Sequence, residues 1–179
     1  VGFLRGLVAA LRAEFAIDAD RILVSGISNG GMMSYRLACE APEFKIAVPA
    51  AAQISTLLAP ECRPPRPITL VMINGEEDPI VPYAGGTIRL FRWTRARGEV
   101  LSTEATFALW LRLNECRPAE TEEALPDRDP TDGTRVFRRS SRSCAGGVET
   151  TLYRIQGGGH AWPGGWAYLN EGLIGRTSR

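Results

Sequence analysis

The chain contains a single histidine, His160, which lies in the glycine-rich stretch 157–165. Far upstream, Ser28 stands at the centre of the pentapeptide GISNG (26–30), directly after a short apolar run. A serine hydroxyl becomes an effective nucleophile only when a base takes its proton, and at neutral pH imidazole is the usual base. If Ser28 is a nucleophile, its base must therefore be His160.

The pentapeptide matches the G-x-S-x-G nucleophile elbow, in which a serine occupies a tight turn between a strand and a helix. Glycine and serine are common, so the motif alone is weak evidence, and an ordinary glycine-rich turn is the alternative. The apolar run before it and the helical pattern after it strengthen the catalytic interpretation. We expect the backbone N–H of Asn29, rather than its carboxamide, to donate to the developing oxyanion.

A carboxylate is needed to orient the imidazole, and Asp78 is the favoured candidate. It follows the apolar run 68–73, where it could accept a hydrogen bond from His160, fix the tautomer and stabilise the imidazolium. Pro79 rigidifies the chain beside Asp78. The alternatives are Glu76 and Glu77 in the same segment, and Asp127, Asp129 and Asp132 in the acidic stretch 117–133. The order Ser28, Asp78, His160 is that of α/β-hydrolases.

Other residues near these motifs have less specific interpretations. Trp162, two residues beyond the histidine, forms either a wall of the substrate site or part of the core. We expect Met32 and Met33 to be core residues, one of them lining the acyl pocket. Four arginines surround Trp93 and superficially resemble a stacking and phosphate-binding patch. We interpret these arginines as a solvated face on which the aliphatic parts of their side chains cover apolar surface. They are Arg89, Arg92, Arg95 and Arg97.

Strands and helices must alternate to position these groups. Apolar residues at helical spacing predict helices near 1–15, 30–39 and 101–114, the last capped by Ser102 or Thr103. Apolar runs predict strands at 22–25, 46–52, 68–73, 134–139 and 148–155, whereas 117–133 is expected to be a loop. Such alternation favours an α/β domain with a mostly parallel sheet, in which sites form beyond the carboxyl ends of strands. Ser28, Asp78 and His160 each follow such an end.

Length and composition favour one globular domain over residues 1–179, with 44% hydrophobic residues. The net charge of +1 gives no electrostatic reason to expect nucleic acid or an anionic membrane as a partner. No stretch approaches the roughly 18 apolar residues of a membrane span. The oligomeric state is not predicted.

Four cysteines are present, without a CxxC spacing and with one histidine, so a zinc site is not expected. Two disulfides are favoured over four buried thiols. Sequence proximity favours the pairs Cys39–Cys62 and Cys116–Cys144 among the three possible pairings. Disulfides would imply a secreted or periplasmic protein.

Four segments together carry a resemblance to a known family: GISNGGMM (26–33), RLAC (36–39), DPIVPY (78–83) with Gly85-Gly86, and GGGHAWPGG (157–165). With them the chain resembles the polyhydroxybutyrate depolymerase-like esterases, an α/β-hydrolase branch that also includes feruloyl and acetylxylan esterases. The resemblance implies Ser28 as nucleophile, Asp78 as acid and His160 as base, with secretion, no metal and no cofactor. The expected substrate is an ester polymer or oligomer, such as a polyhydroxyalkanoate.

Three other functions stay open at this point. A feruloyl or acetylxylan esterase shares the same motifs, and a peptidase of the prolyl-oligopeptidase type shares the triad order. The chain could also be a noncatalytic polymer-binding remnant.

The chain departs from that family at both ends. Only 25 residues precede the elbow, no His-Gly motif supplies a second oxyanion donor, and the family's closing helix is absent. These departures predict an internal fragment that lacks N-terminal strands and a C-terminal helix. The strand at 22–25 should then have an unpaired edge. We expect the chain by itself to be unstable, aggregation-prone and nearly inactive.

Overall fold

A mixed sheet organises the chain, which a computed structural model describes over residues 1–90, 94–119, 121–166 and 168–178. In chain order the strands are β1 (Leu23–Ile27), β2 (Ile46–Ala50), β3 (Thr69–Gly75), β4 (Gly86–Thr87), β5 (Glu99–Val100), β6 (Glu123–Ala124), β7 (Arg135–Ser141) and β8 (Thr150–Gln156). Over the described residues the main sheet has the order β1-β2-β3-β8-β7-β6. The first four of these are parallel, β7 pairs antiparallel with β8, and β6 pairs antiparallel with β7. The strands β4 and β5 form a separate antiparallel ribbon.

The three predicted helices are confirmed as α1 (Gly2–Glu14), α2 (Asn29–Glu40) and α3 (Thr103–Leu113). A short helix, α4 (Glu171–Ile174), was not predicted. Ser102 is the N-cap of α3, because its side chain accepts a hydrogen bond from the backbone N–H of Ala105 at 3.0 Å. This contact decides between the two predicted caps.

The main hydrophobic core joins one face of the sheet to α2 and α3. Its largest fully buried members include Tyr35 and Leu37 from α2, Trp110 from α3, and Leu70 and Leu152 from the sheet. Tyr35 stacks on Trp110 with their ring centroids 6.2 Å apart. Burying a side chain of this size contributes about 1.5–3 kcal/mol. The core therefore anchors α2, and with it the turn in which α2 begins.

The predicted disulfides, Cys39–Cys62 and Cys116–Cys144, are both formed, and the described residues contain no free cysteine. Cys39 and Cys62 are buried in the main core, whereas Cys116 and Cys144 are only partly buried. The first bridge therefore holds the C-terminal end of α2 to the connection between β2 and β3.

Several sequence predictions differ from the structure. The acidic stretch 117–133 is not entirely a loop, because it contains β6. The prediction that Met33 is a core residue is wrong, since Met33 is 37% exposed. Arg92 and Trp93 lie outside the described residues. In the described part of the chain, β1 pairs only with β2, so the predicted unpaired edge is present. The same part of the chain holds no helix that is long and apolar enough to cross a bilayer.

Candidate active site

Ser28 occupies the turn between β1 and α2 in a backbone conformation that non-glycine residues rarely adopt, with φ 57° and ψ −119°. Its N–H donates to the carbonyl of Ala50, at the end of the neighbouring strand, over 2.9 Å. Strained backbone of this kind persists only where the surrounding structure enforces it. Here the sheet and the anchored helix hold the serine at the carboxyl end of β1.

Two of the nearby glycines are explained by how closely strand and helix approach. A Cβ atom at Gly26 would lie 2.5 Å from the backbone carbon of Gly30, and one at Gly31 would lie 2.7 Å from Cβ of Ala52. A Cβ at Gly30, in contrast, would meet no atom within 4 Å. The turn therefore requires glycine at 26 and 31 for space, whereas Gly30 contributes its backbone to the contact.

Asp78 and His160 form a buried pair at the ends of β3 and β8. His160 Nδ1 lies 2.7 Å from Asp78 Oδ2, and the two side chains are 3% and 2% exposed for His160 and Asp78 respectively. The other carboxylate oxygen accepts hydrogen bonds from the N–H groups of Ile80 and Val81, each over 2.8 Å. Because an ionised carboxylate only accepts hydrogen bonds, Nδ1 donates and Nε2 keeps its lone pair free to take a proton.

The alternative carboxylates are engaged elsewhere. Glu76 pairs with Arg154 over 2.6 Å, and Asp127 pairs with Arg135 over 2.9 Å. Asp129 and Asp132 accept hydrogen bonds from threonines of their own loop. Glu77 is exposed. Of the acids considered from sequence, Asp78 is the one that the structure brings to His160.

The glycine run before His160 allows backbones to pack directly against one another. A Cβ at Gly159 would lie 2.2 Å from the carbonyl oxygen of Ile174. The N–H of His160 donates to that same carbonyl over 2.5 Å, and the hydroxyl of Tyr168 donates to the carbonyl of His160 over 2.8 Å. Partial desolvation, together with the charge of Asp78, raises the pKa of Tyr168. Residues in and before α4 therefore fix the backbone of His160 through hydrogen bonds to its N–H and its carbonyl.

Ser28 lies on the same edge of the sheet as this pair, because β1, β3 and β8 run parallel and each group follows a carboxyl end. In the described residues no hydrogen bond joins Ser28 to His160. Such catalytic hydrogen bonds often tighten only when substrate binds. Asn29 is the first residue of α2, so its N–H has no acceptor within the helix and is available to an oxyanion.

A pocket of about 380 Å³ opens beside Ser28 and Asn29. Its other lining residues are Arg97 and four apolar side chains, Met32, Ile80, Ile88 and Leu90. Met32 thus lines the pocket, whereas Trp162 does not. Trp162 is 38% exposed, and its role in substrate binding stays a prediction. Among the described residues, no group of three or more His, Cys, Asp or Glu side chains could hold a metal ion.

Sequence reasoning missed the contributions of Tyr168 and Arg97. The position of Tyr168 in an aromatic-rich stretch after the histidine was the available signal for the first. Arg97 was interpreted as one of four solvated arginines, and nothing in its local sequence sets it apart from the others.

A serine in a strained strand-to-helix turn, with an Asp–His pair at the carboxyl edge of the same parallel sheet, is the arrangement of α/β-hydrolases. The profile of the Prolyl oligopeptidase family, which has this fold, matches residues 4–59. The chain has the α/β-hydrolase fold, and the curated relatives that match it are named as esterases.

Three relatives cover nearly all of the chain. "Putative esterase NocK" of Nocardia uniformis is 32% identical over 100% of this chain and 53% of its own length. "Feruloyl esterase B" of Piromyces equi is 25% identical over 96% of this chain and 31% of its own. "Probable feruloyl esterase C" of Aspergillus niger is 26% identical over 89% of this chain and 49% of its own. The chain thus spans about half or less of their lengths. No solved structure matches it significantly.

Proposed function

We propose that this chain carries the catalytic centre of a serine esterase that hydrolyses carboxylic esters through an acyl-enzyme. Ser28 is the nucleophile, His160 the general base and then acid, and Asp78 the group that orients His160. The observation that carries the proposal is the buried 2.7 Å contact between His160 and Asp78, on the sheet edge where Ser28 stands in its strained turn. The esterase names of the relatives support it.

The proposed reaction has two halves. Ser28 Oγ attacks the ester carbonyl while His160 Nε2 takes the proton of the serine hydroxyl. The resulting oxyanion accepts a hydrogen bond from the backbone N–H of Asn29. The tetrahedral species collapses, the alcohol leaves with the proton from His160, and the acyl group stays on Ser28. Water then attacks the acyl-enzyme while His160 takes one of its protons, and as the tetrahedral species collapses His160 returns that proton to Ser28 Oγ, which releases the acid and the free serine.

The proposed substrate is a polyhydroxyalkanoate-type polyester or its oligomers. A feruloyl or acetylxylan esterase is the second candidate, and the two relatives named as feruloyl esterases favour it. A peptidase is the third, favoured by the match of residues 4–59 to the Prolyl oligopeptidase family. A noncatalytic polymer-binding remnant is the weakest candidate, because it gives no reason for the Asp78–His160 pair.

We also propose that the protein works outside the cytoplasm. The two disulfides support this, since such bonds persist in oxidising compartments. No nucleic acid or membrane partner is proposed.

Labelling with a fluorophosphonate probe tests the proposed centre, because an unactivated serine should not react. We expect the intact protein to be labelled at Ser28, and labelling to disappear in Ser28→Ala and in His160→Ala. Short hydroxybutyrate oligomers, methyl ferulate, acetylated xylan and a prolyl peptide then separate the candidate substrates by kcat/KM. Absence of labelling in the folded wild type would refute the proposal, and cleavage of the peptide alone would favour the peptidase.

A further inference from the structure

Among the described residues that line the pocket beside Ser28, four are apolar side chains and Arg97 is the one cation. Ile80 and Ile88, two walls of the pocket, are buried, and Met32 and Leu90 are partly buried. Arg97 lines the same pocket and is exposed. Within the described residues its side chain makes no hydrogen bond and no ion pair, whereas Arg135, Arg138 and Arg154 each pair with a carboxylate.

Backbone hydrogen bonds fix Arg97 at this position. Its N–H donates to the carbonyl of Ile88 over 3.0 Å, and the N–H of Ile88 donates to the carbonyl of Gly98 over 2.9 Å. The neighbouring Arg89 N–H donates to the carbonyl of Ile80 over 3.2 Å. The N–H of Ile80 in turn donates to the side chain of Asp78. A chain of hydrogen bonds therefore connects the backbone of Arg97 to the candidate catalytic acid.

The nearest acid along the ribbon does not neutralise this cation. Glu99, two residues beyond Arg97, accepts a hydrogen bond from the hydroxyl of Thr87 at 3.5 Å and forms no ion pair with Arg97 in the described part of the chain. The N–H donors of the Arg97 guanidinium therefore remain available to a ligand. The planar fork of the guanidinium matches a carboxylate, and the apolar walls beside it can pack against the hydrocarbon part of the same ligand.

We infer that Arg97 makes this pocket selective for esters whose bound chain has an apolar body and ends in a carboxylate. This inference rests on the proposed esterase function and deepens it. Among polyester substrates it favours short oligomers, which carry a free carboxylate at one end, over the neutral interior of a polymer chain. The apolar walls bind the hydrocarbon part, and Arg97 binds the anionic end.

Two matched pairs of esters test the inference, because the carboxylate can belong to the acyl part or to the alcohol part. The first pair is the 4-nitrophenyl monoester of adipic acid and 4-nitrophenyl hexanoate. The second is the hydroxybutyrate dimer as the free acid and as its carboxamide. In the intact wild type we expect at least one charged ester to exceed its neutral partner about tenfold or more in kcat/KM, mainly through KM.

Substitutions then assign that preference to Arg97. Arg97→Gln should abolish the preference, so that the charged and neutral esters of a pair have kcat/KM values within about twofold of each other, and Arg97→Lys should retain part of it. Arg95→Gln is the matched control, since Arg95 is exposed and carries the same charge two residues away but does not line the pocket. Higher salt should reduce the preference of the wild type.

The outcomes separate the two proposals. Turnover of neutral esters without any charge preference, or an equal loss of the preference in Arg95→Gln and Arg97→Gln, overturns the role of Arg97 and leaves the esterase intact. Failure of the folded wild type to turn over any ester, together with no labelling of Ser28, overturns the proposed function and the inference with it.

Discussion

Each oxygen of the Asp78 carboxylate has a different task. Oδ1 is occupied by two backbone N–H groups of the turn that follows, so the side chain cannot rotate freely. Oδ2 is therefore presented to His160 Nδ1 in one orientation. In the proposed mechanism this contact selects the tautomer that leaves Nε2 able to accept the proton of Ser28.

Replacing Asp78 with asparagine should keep the geometry but favour the wrong histidine tautomer. We expect kcat to fall by about 10³- to 10⁴-fold with little change in KM, as for a triad acid. The measurement is steady-state hydrolysis of a neutral 4-nitrophenyl ester by the intact protein. Glu77→Gln is the control, because Glu77 is an exposed neighbour that should tolerate the change. An unchanged kcat in Asp78→Asn would remove Asp78 from the mechanism.

Local sequence predicts which residues are candidates for the chemistry but not which residues support them. Ser28, Asp78 and His160 stand in short motifs with recognisable residue types. Asn114 has no such motif, although it is fully buried and bonds both backbone groups of Ile68, 46 residues away, and the hydroxyl of Thr150. Its importance arises only when the chain folds, and the same is true of Arg97 at the pocket.

At the scale of elements, the turn from β1 to α2 determines where Ser28 stands. The apolar run of β1 and the amphipathic pattern of α2 made both elements predictable, because each buries one continuous surface. β6 was not predictable, since Glu123 and Ala124 are both exposed and show no apolar periodicity. The turn leaves no room for a Cβ atom at Gly26 or Gly31, and this steric requirement can be tested separately from the chemistry.

Gly26→Ala should destabilise this turn, because the added Cβ would lie 2.5 Å from backbone atoms of Gly30 and the helix would have to move. Overpacking of this kind costs about 1–3 kcal/mol. Gly30→Ala is the matched control, since its Cβ would meet nothing within 4 Å and alanine favours a helix. Denaturant unfolding of the intact protein measures both. Equal free energies of unfolding for the two variants would show that the turn does not require glycine at position 26 for space.

At the scale of the whole molecule, β1, the strand that leads into Ser28, forms an open edge of the main sheet in the described part of the chain. Leu23 on β1 is 49% exposed, and Phe3 on α1 is 80% exposed. An unpaired strand edge and exposed apolar side chains both favour association with other chains. These two features are the physical basis of the expectation that the chain by itself is aggregation-prone, which stays a prediction.

The two disulfides offer a comparison in which chain entropy is nearly the same. They join residues 23 and 28 positions apart, so that each should contribute about 3 kcal/mol and the two should differ by only about 0.2 kcal/mol in the loop-entropy account. Burial differs more, because Cys39 and Cys62 are 4% and 0% exposed within the main core, whereas Cys116 and Cys144 are partly buried. Any large difference between the bridges should therefore come from packing.

We expect the double variant Cys39→Ala/Cys62→Ala to lose about 1 kcal/mol or more of unfolding free energy beyond the loss in Cys116→Ala/Cys144→Ala, since only the first leaves a cavity in the core. Denaturant titration of both variants and of the oxidised wild type in the intact protein measures this difference. Because α2 begins directly after its N-cap Ser28 and carries Cys39 near its end, the same variant should also lose the proposed esterase activity at a lower denaturant concentration. Equal losses in the two variants would mean that the bridges act through chain entropy alone, and that the core holds α2 without help from the first.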